Sequence, residues 1–199
     1  RTPSRGRDTV GSMEQRVVGN TGLRVSEIGL GTMTWGRDTD ALDAEEMLSD
    51  FMEAGGTLVD TAPGYGDGAA EEILGGVLAG GLPREDLVIS TKAGVRTPRN
   101  ARAMVDASRG TLLSSLDASL RRLGTEYVDL FVVQAPDPVT PLEETAHALE
   151  LAVTSGRARY VGVSNHSGWQ CAALAGMLGR TGLAATQHEY SLLQRGVER

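Results

Sequence analysis

Short apolar runs recur along the chain, and each one is followed by a polar, amphipathic stretch. The runs are rich in β-branched residues and mostly lack polar alternation, which is typical of strands buried on both faces of a sheet. One apolar run and one amphipathic stretch repeat about every 30 residues, the length of a βαβ unit. The runs predict six strands: Glu27–Leu30, Thr57–Asp60, Leu87–Thr91, Val128–Val133, Tyr160–Val163 and Ala184–Gln187.

The amphipathic stretches predict five α-helices. Several of them stop at a glycine just past the last apolar position, where a left-handed residue closes a helix. Ahead of the first apolar run, the turn-forming stretch Gly19-Asn20-Thr21-Gly22 predicts an opening β-hairpin within Gln15–Ile28. The predicted helices are Ala44–Ala54, Glu71–Leu78, Ser108–Arg122, Pro141–Ser155 and Gly168–Leu178.

Alternating strands and helices build an α/β fold with a parallel sheet, which either stays open and doubly wound or closes into a barrel. An open dinucleotide-binding sheet carries Gly-x-Gly-x-x-Gly after its first strand, and the stretch from Gly29 to Gly36 lacks that spacing. Polar residues instead close five strands at their carboxyl ends, where barrel active sites are built. An unpaired buried charge costs about 3–5 kcal/mol, so we expect these side chains to converge. They are Asp60, Lys92, Gln134, Ser164 with Asn165, and Gln187.

The chain carries five short motifs: Gly29-Leu-Gly-Thr-Met33, Asp60-Thr-Ala-Pro-Gly-Tyr-Gly66, Ser90-Thr-Lys92, Gly162-Val-Ser-Asn165 and Gln187-His-Glu-Tyr190. Their order and spacing resemble the aldo-keto reductase superfamily, from about Arg16 to the end of the chain. The resemblance implies a (β/α)8 TIM barrel that binds NADPH across its carboxyl face. It also implies hydride transfer from the nicotinamide to a small-molecule aldehyde or ketone.

The resemblance implies that Tyr65 donates a proton to the alkoxide that forms from the carbonyl oxygen. A free tyrosine hydroxyl has a pKa of about 10, too high for an efficient acid at neutral pH, so a neighbouring cation is needed. By resemblance Lys92 is that cation, and Asp60 is the carboxylate that keeps it charged and oriented. Each residue alone also fits a plainer role: Asp60 as a loop cap, Tyr65 as a surface turn residue, and Lys92 as a solvated charge.

Three polar residues match the family side chains that hold the nicotinamide carboxamide: Ser164, Asn165 and Gln187. Hydroxyl and amide groups suit a carboxamide because it both donates and accepts hydrogen bonds. Alternatively, Ser164 and Asn165 are N-caps of the helix that follows. The resemblance assigns further cofactor contacts to Gly31, Thr32, Met33 and Asp60.

Gln134 departs from the family pattern. The family usually has histidine here, in a stretch resembling His-x-Pro-Asp-Pro, whereas this chain has Gln134-Ala-Pro-Asp-Pro138. Glutamine still donates a hydrogen bond to a substrate carbonyl, so Gln134 counts among the catalytic candidates, but it does not share a proton with Tyr65 as an imidazole does. Two alternatives to a reductase therefore stay open: a weakly catalytic or non-catalytic NADPH-binding redox sensor on the same fold, and an inactive fragment.

The net charge and the cysteine content indicate which kinds of partner and which cellular location to expect. A net charge of -7 and a pI near 5.0 leave no general basic surface, which argues against nucleic acid and anionic membranes. No apolar run approaches the ~20 residues that cross a bilayer. Cys171 is the only cysteine, so no internal disulfide forms, and a cytoplasmic location is expected. A homo-oligomer is left open.

Both ends of the chain bear on the predicted extent of the folded domain. Gly11 and Ser12 before Met13 resemble a cloning remnant, so residues 1–12 are expected to be a disordered leader or tag. Residues 13–199 are expected to be the barrel domain. A TIM barrel closes with eight strands and takes about 250 residues, so we expect only about the first six βα units, a truncated carboxyl end, unpaired strand edges and an exposed apolar face.

The histidines and tryptophans are the remaining candidates for a metal site or for the wall of the substrate cleft. His147, His166 and His188 have no metal-ligand spacing, so no metal site is expected. His166 and His188 each follow a residue assigned to the cofactor and are expected to neighbour the site. Trp35, on the loop after the first strand, is expected to line the substrate cleft, while Trp169 either lines the cleft or packs.

Overall fold

The computed structural model describes residues 13–96 and 104–198. The predicted leader, residues 1–12, lies outside the described residues, so its disorder stays a prediction. None of the helices in the two described ranges combines the length and the apolar character that crossing a membrane requires.

All six predicted strands are present, with bounds within a few residues of those predicted. The sequence did not predict the small antiparallel pair of Val95–Arg96 and Met104–Val105, because strands of two residues have no periodicity to detect. The strands of the described ranges are β1 (Gln15–Val17), β2 (Arg24–Ser26), β3 (Gly29–Gly31), β4 (Leu58–Asp60), β5 (Val88–Ala93), β6 (Val95–Arg96), β7 (Met104–Val105), β8 (Val128–Val133), β9 (Ala158–Ser164) and β10 (Ala185–Gln187).

All five predicted helices are present as well. Local chemistry explains several of their ends: Asp40 Oδ1 accepts from the backbone N–H groups of Leu42 and Asp43 at 2.9 and 3.0 Å, and the left-handed Gly124 (φ 64°) ends the third helix. Short 3-10 turns add Tyr65–Gly68, Arg84–Asp86 and Gly196–Glu198. The helices are α1 (Ala41–Glu53), α2 (Ala69–Ala79), α3 (Arg109–Leu123), α4 (Leu142–Thr154) and α5 (Gly168–Met177).

Six strands form one parallel sheet in the order β3-β4-β5-β8-β9-β10. These strands keep their order along the chain, and each helix packs against the next one, from α1 on α2 to α4 on α5. A doubly wound sheet reverses its strand order at a switch point, whereas a (β/α)8 barrel does not. The predicted barrel-type arrangement is therefore confirmed, with six parallel strands and five α-helices in the described residues.

The opening hairpin is confirmed and joins the amino-terminal end of the sheet. β1 and β2 pair antiparallel, with Gln15 opposite Ser26. Thr57 N donates to Ser26 Oγ at 2.9 Å, and Ser26 N donates to Thr57 Oγ1 at 2.8 Å, so the two residues tie the hairpin to the start of β4. Leu23 of the hairpin and Leu58 of β4 help to line an apolar cavity of about 190 Å³ between hairpin and sheet.

The expectation that Trp35 lines the substrate cleft is wrong. Its side chain is 0% exposed and belongs to the hydrophobic core. The loop after β3 turns back tightly, since Trp35 N donates to Thr32 O at 3.0 Å and Gly36 N donates to Thr39 O at 2.8 Å. This local turn, which apolar patterning does not reveal, places the indole under the loop. Trp169 is 67% exposed at the start of α5.

Helices α2 and α3 approach each other closely at Gly75. A Cβ built on Gly75 would lie 2.2 Å from the backbone oxygen of Arg122 and 3.1 Å from the Cα of Leu123. The obstructing atoms belong to backbone, which cannot swing aside as a flexible side chain can. Only glycine therefore allows this crossing at the density of a protein interior.

Replacing Gly75 by alanine should destabilise the protein by about 1–3 kcal/mol, the usual cost of overpacking. Gly76→Ala is the matched control on the same helix, because its added methyl group meets nothing within 4 Å, and alanine in a helix is more stable than glycine by about 0.5–1 kcal/mol. Urea unfolding measures both free energies. Equal changes in the two variants would contradict the close crossing.

Candidate active site

The polar residues predicted at the strand ends come together at one end of the sheet. Asp60, Ser164 and Gln187 end β4, β9 and β10, while Lys92 lies near the end of β5 and Gln134 follows β8. Because the strands are parallel, these ends share one edge. A cavity of about 290 Å³ opens there, lined by Tyr65, Lys92, Gln134, Ser164, Asn165, Gln187, His188 and Glu189.

The ammonium group of Lys92 is paired and almost wholly buried. Its side chain is 4% exposed, and Nζ donates to Asp60 Oδ2 at 2.6 Å, to Thr61 O at 3.1 Å and to the Tyr65 hydroxyl at 3.2 Å. An ammonium has three protons and no acceptor. The three contacts therefore use its full hydrogen-bonding capacity, and the Asp60 carboxylate balances the buried charge.

Tyr65 reaches Lys92 from a tight turn between β4 and α2. Gly66, Asp67 and Gly68 all have left-handed backbone angles, with φ of 58°, 53° and 98°. Glycine adopts this conformation without steric cost, but Asp67 has a Cβ and the conformation costs it about 1–2 kcal/mol. The chain reverses direction within these residues, and the reversal brings the phenol to the ammonium.

Asn165 links the ends of three strands. Its backbone N–H donates to Gln187 O at 3.0 Å, and its Nδ2 donates to Gln134 O and to Ser164 Oγ, both at 3.0 Å. Its φ of 61° is left-handed, a conformation that asparagine adopts more readily than most residues with a side chain. The ends of β8, β9 and β10 are therefore held together beside the cavity.

Ser164 and Asn165 do not cap the helix that follows them. Ser167 is the N-cap of α5, in a capping box with Gln170: Ser167 N and Ser167 Oγ both donate to Gln170 Oε1 at 2.9 Å. The alternative that assigns the cap to Ser164 and Asn165 is wrong, because the helix begins at Gly168.

Gly31 and Thr32 lie beside Asp60, and neither they nor Met33 line the 290 Å³ cavity. Gly31 pairs with Asp60 in the β3–β4 register, and Thr32 donates to Asp60 O from its N at 3.0 Å and from its Oγ1 at 3.2 Å. Thr32 is fully buried, so its hydroxyl supports the strand end that carries Asp60. Met33 is exposed. Their cofactor contacts stay predictions.

Gln134 presents an unusual feature for a residue of the cavity wall. Its N–H continues the ladder by donating to Ala93 O at 2.8 Å, yet its buried side-chain Oε1 has no hydrogen-bond partner in the described part of the chain. An unsatisfied buried acceptor costs about 1–3 kcal/mol. Such exceptions in native proteins need a reason, and a functional role is one of them.

The histidines fall into different surroundings. His188 and Glu189 line the cavity. His188 was predicted to lie beside the site, whereas Glu189 was not, although both belong to the Gln187–Tyr190 motif. His166 is buried, and its Nδ1 donates to Ser164 O at 2.8 Å. Burial lowers the pKa of His166, and the Ser164 carbonyl partly offsets this. Within 13–96 and 104–198, no group of three or more potential ligands could hold a metal ion.

Comparison with known proteins finds one matching family and several similar proteins. A sequence model of the Aldo/keto reductase family matches residues 27–199. Aldo-keto reductase YhdN of Bacillus subtilis is 35% identical over 94% of this chain and 56% of its own length. L-glyceraldehyde 3-phosphate reductase of Escherichia coli is 38% identical over 95% of this chain and 56% of its own length. 6-dehydroglucose reductase of Agrobacterium fabrum is 38% identical over 90% of this chain and 63% of its own length. The chain thus spans 56 to 63% of the length of these relatives.

Proposed function

Because this chain belongs to the aldo/keto reductase family, we propose that it reduces an aldehyde or ketone to an alcohol with a hydride from NADPH. The observation that carries the proposal is the contact between the buried Lys92 ammonium and the Tyr65 hydroxyl, at 3.2 Å. An ammonium only donates, so the phenolic oxygen accepts there. The hydroxyl proton of Tyr65 therefore points away from Lys92 and is free for a substrate oxygen.

In the proposed reaction Tyr65 is the general acid. Its O–H bond breaks as the carbonyl oxygen takes the proton, while the carbonyl carbon accepts the hydride. The phenolate left behind lies beside the Lys92 ammonium, whose positive charge stabilises the developing negative charge. Asp60 holds that ammonium at 2.6 Å and so acts through Lys92.

The residues at the ends of β9 and β10 fit a nicotinamide carboxamide. Asn165 Nδ2 donates to Gln134 O and to Ser164 Oγ, and Gln187 Nε2 donates to Asp60 Oδ2 at 3.2 Å. These bonds leave Asn165 Oδ1, Gln187 Oε1 and the Ser164 hydroxyl proton available, two acceptors and one donor. A carboxamide offers the complementary two N–H protons and one carbonyl oxygen. NADPH, when bound, supplies the hydride.

Gln134 would orient the substrate. An amide N–H donates a hydrogen bond to a carbonyl oxygen and polarises it, but a neutral amide does not act as an acid at neutral pH. In this proposal Tyr65 is therefore the proton donor, and Gln134 is a binding group for the carbonyl.

The substrate proposed is a small polar carbonyl compound. His188 and Glu189 line the 290 Å³ cavity and have no part in the carboxamide and carbonyl contacts proposed above. A hydroxylated aldehyde finds hydrogen-bonding partners in them that a long alkyl aldehyde would leave unused. Two relatives are named for reducing L-glyceraldehyde 3-phosphate and 6-dehydroglucose, which supports this class.

Calorimetric titration with NADPH, followed by turnover with an aldehyde panel, tests the proposal. We expect saturable one-site binding that Ser164→Ala weakens about tenfold, the effect of one lost hydrogen bond. Ser155→Ala is the matched control, since its hydroxyl donates to Ala152 O at the end of α4, outside the cavity.

The outcomes separate the three functions that the sequence left open. Binding with turnover supports the reductase. Saturable binding without turnover refutes it and favours a redox sensor, for which Gln134 in place of histidine is the supporting observation. No binding of NADPH or NADH refutes both and leaves an inactive fragment.

A further inference from the structure

A buried carboxylate outside the cavity links helix α2, which begins directly after the turn that carries Tyr65, to strand β5, which carries Lys92. Glu71 lies in the first turn of α2 and is 0% exposed. Its Oε1 accepts from Thr91 Oγ1 at 2.6 Å. Its Oε2 accepts from Arg122 Nε at 2.7 Å and forms an ion pair with Arg122 Nη2 at 2.6 Å. One side chain therefore bridges α2, β5 and α3.

On the β5 side, the bridge ends next to the ammonium. Thr91 is fully buried and directly precedes Lys92. Successive side chains of a strand point to opposite faces, so Thr91 bonds Glu71 on the helix side of the sheet while Lys92 reaches Asp60 and Tyr65 on the other. Fixing the Thr91 side chain to Glu71 thereby fixes the position of the Lys92 backbone.

On the α2 side, the bridge fixes the turn that carries Tyr65. Gly68 is the last left-handed residue of that turn, and a Cβ built on it would lie 2.9 Å from Arg122 Cδ. The Arg122 side chain thus packs directly over the end of the turn. Because Asp67 costs energy in its left-handed conformation, the turn keeps its shape only while surrounding contacts hold it.

We propose that Glu71, together with Thr91 and Arg122, is a positioning device that sets the distance between the Tyr65 hydroxyl and Lys92 Nζ. None of the three lines the 290 Å³ cavity, so they act on the site through Tyr65 and Lys92. The inference rests on the proposed function for its effect on turnover, but its structural part, the fixing of the Tyr65 turn, holds without it.

Thr91→Val breaks the bridge at one bond and keeps the shape of the side chain. It should lower kcat for aldehyde reduction about tenfold, because small misplacements of reacting groups have large effects on rate, while KM for NADPH changes by less than about twofold. Thr91→Ser restores the hydroxyl and should restore kcat. Thr145→Val is the matched control: it removes a buried threonine hydroxyl that donates to Ala107 O at 3.2 Å and contacts none of the three residues of the bridge.

Hydrogen exchange of the amides in residues 63–70 provides a readout that needs no turnover. Thr91→Val should accelerate this exchange at least about threefold over wild type, and Thr145→Val should not. A kcat of Thr91→Val within twofold of wild type, or an equal loss in Thr145→Val, would overturn the inference. If wild type shows no turnover, the proposed function fails, and the exchange comparison alone decides the inference: unchanged exchange in Thr91→Val refutes it.

Discussion

Replacing Tyr65 by phenylalanine is expected to lower kcat for aldehyde reduction by a factor of about 10²–10⁴, the usual contribution of a general acid. The substitution keeps the ring and removes only the hydroxyl, whose oxygen lies 3.2 Å from Lys92 Nζ. Gln134 is a catalytic candidate as well, but its neutral amide does not act as an acid at neutral pH. The loss should therefore fall on the chemical step, with NADPH affinity changed by less than about threefold.

Steady-state kinetics and calorimetry on the purified variant measure the two quantities. Tyr160→Phe is the matched control, because the hydroxyl of Tyr160 lies close to Gly22 of the opening hairpin and far from the cavity. If Tyr65→Phe retains more than about a tenth of the wild-type kcat, Tyr65 is not the proton donor. An equal loss in Tyr160→Phe would instead point to a general disturbance of the fold.

Replacing Asp60 by asparagine should destabilise the protein by about 3–5 kcal/mol at neutral pH and abolish measurable turnover. The Lys92 side chain is 4% exposed and its Nζ lies 2.6 Å from Asp60 Oδ2. Asparagine leaves that ammonium buried without a compensating negative charge, and breaking such a pair costs far more than deleting both members. For a chain of this size, the expected drop in Tm is about 10 °C.

A double variant separates the charge effect from lost packing. Asp60→Asn combined with Lys92→Met removes both charges and keeps a side chain of similar length, so it should recover most of the lost stability while remaining inactive. Asp50→Asn, on an exposed position of α1, controls for removal of a carboxylate. Urea unfolding measures all three, and a free energy of unfolding for Asp60→Asn equal to that of Asp50→Asn would refute the buried pair.

Much of the candidate site was predictable because its residues stand at strand ends. Asp60, Lys92, Gln134, Ser164 and Gln187 each close an apolar run, and the carboxyl ends of parallel strands share one edge of a sheet. Recognising the strands therefore predicted the neighbourhood of these side chains. Their roles in the reaction stay predictions, since proximity alone does not assign them.

Other features had no local signal. The Thr32 hydroxyl donates to Asp60 O, a bond that the motif, which predicted a cofactor contact for Thr32, did not indicate. In the sequence, Glu71 is an ordinary acidic residue in the first turn of a predicted helix. Its hydrogen-bond partners, Thr91 and Arg122, lie 20 and 51 positions further along the chain. Glu189 follows two residues already assigned near the site, and only the cavity shows that it lines the wall.

The sequence by itself determined the repeating strands and helices, the opening hairpin and the set of polar strand ends, because these depend on periodicity and turn chemistry within a few residues. Only the tertiary structure decided that Trp35 is buried, that Gly75 permits the crossing of α2 and α3, and that Glu71 joins α2 to β5 and α3. These features depend on which distant backbone segments touch, and that is set by packing the helices onto the whole sheet rather than by any local pattern.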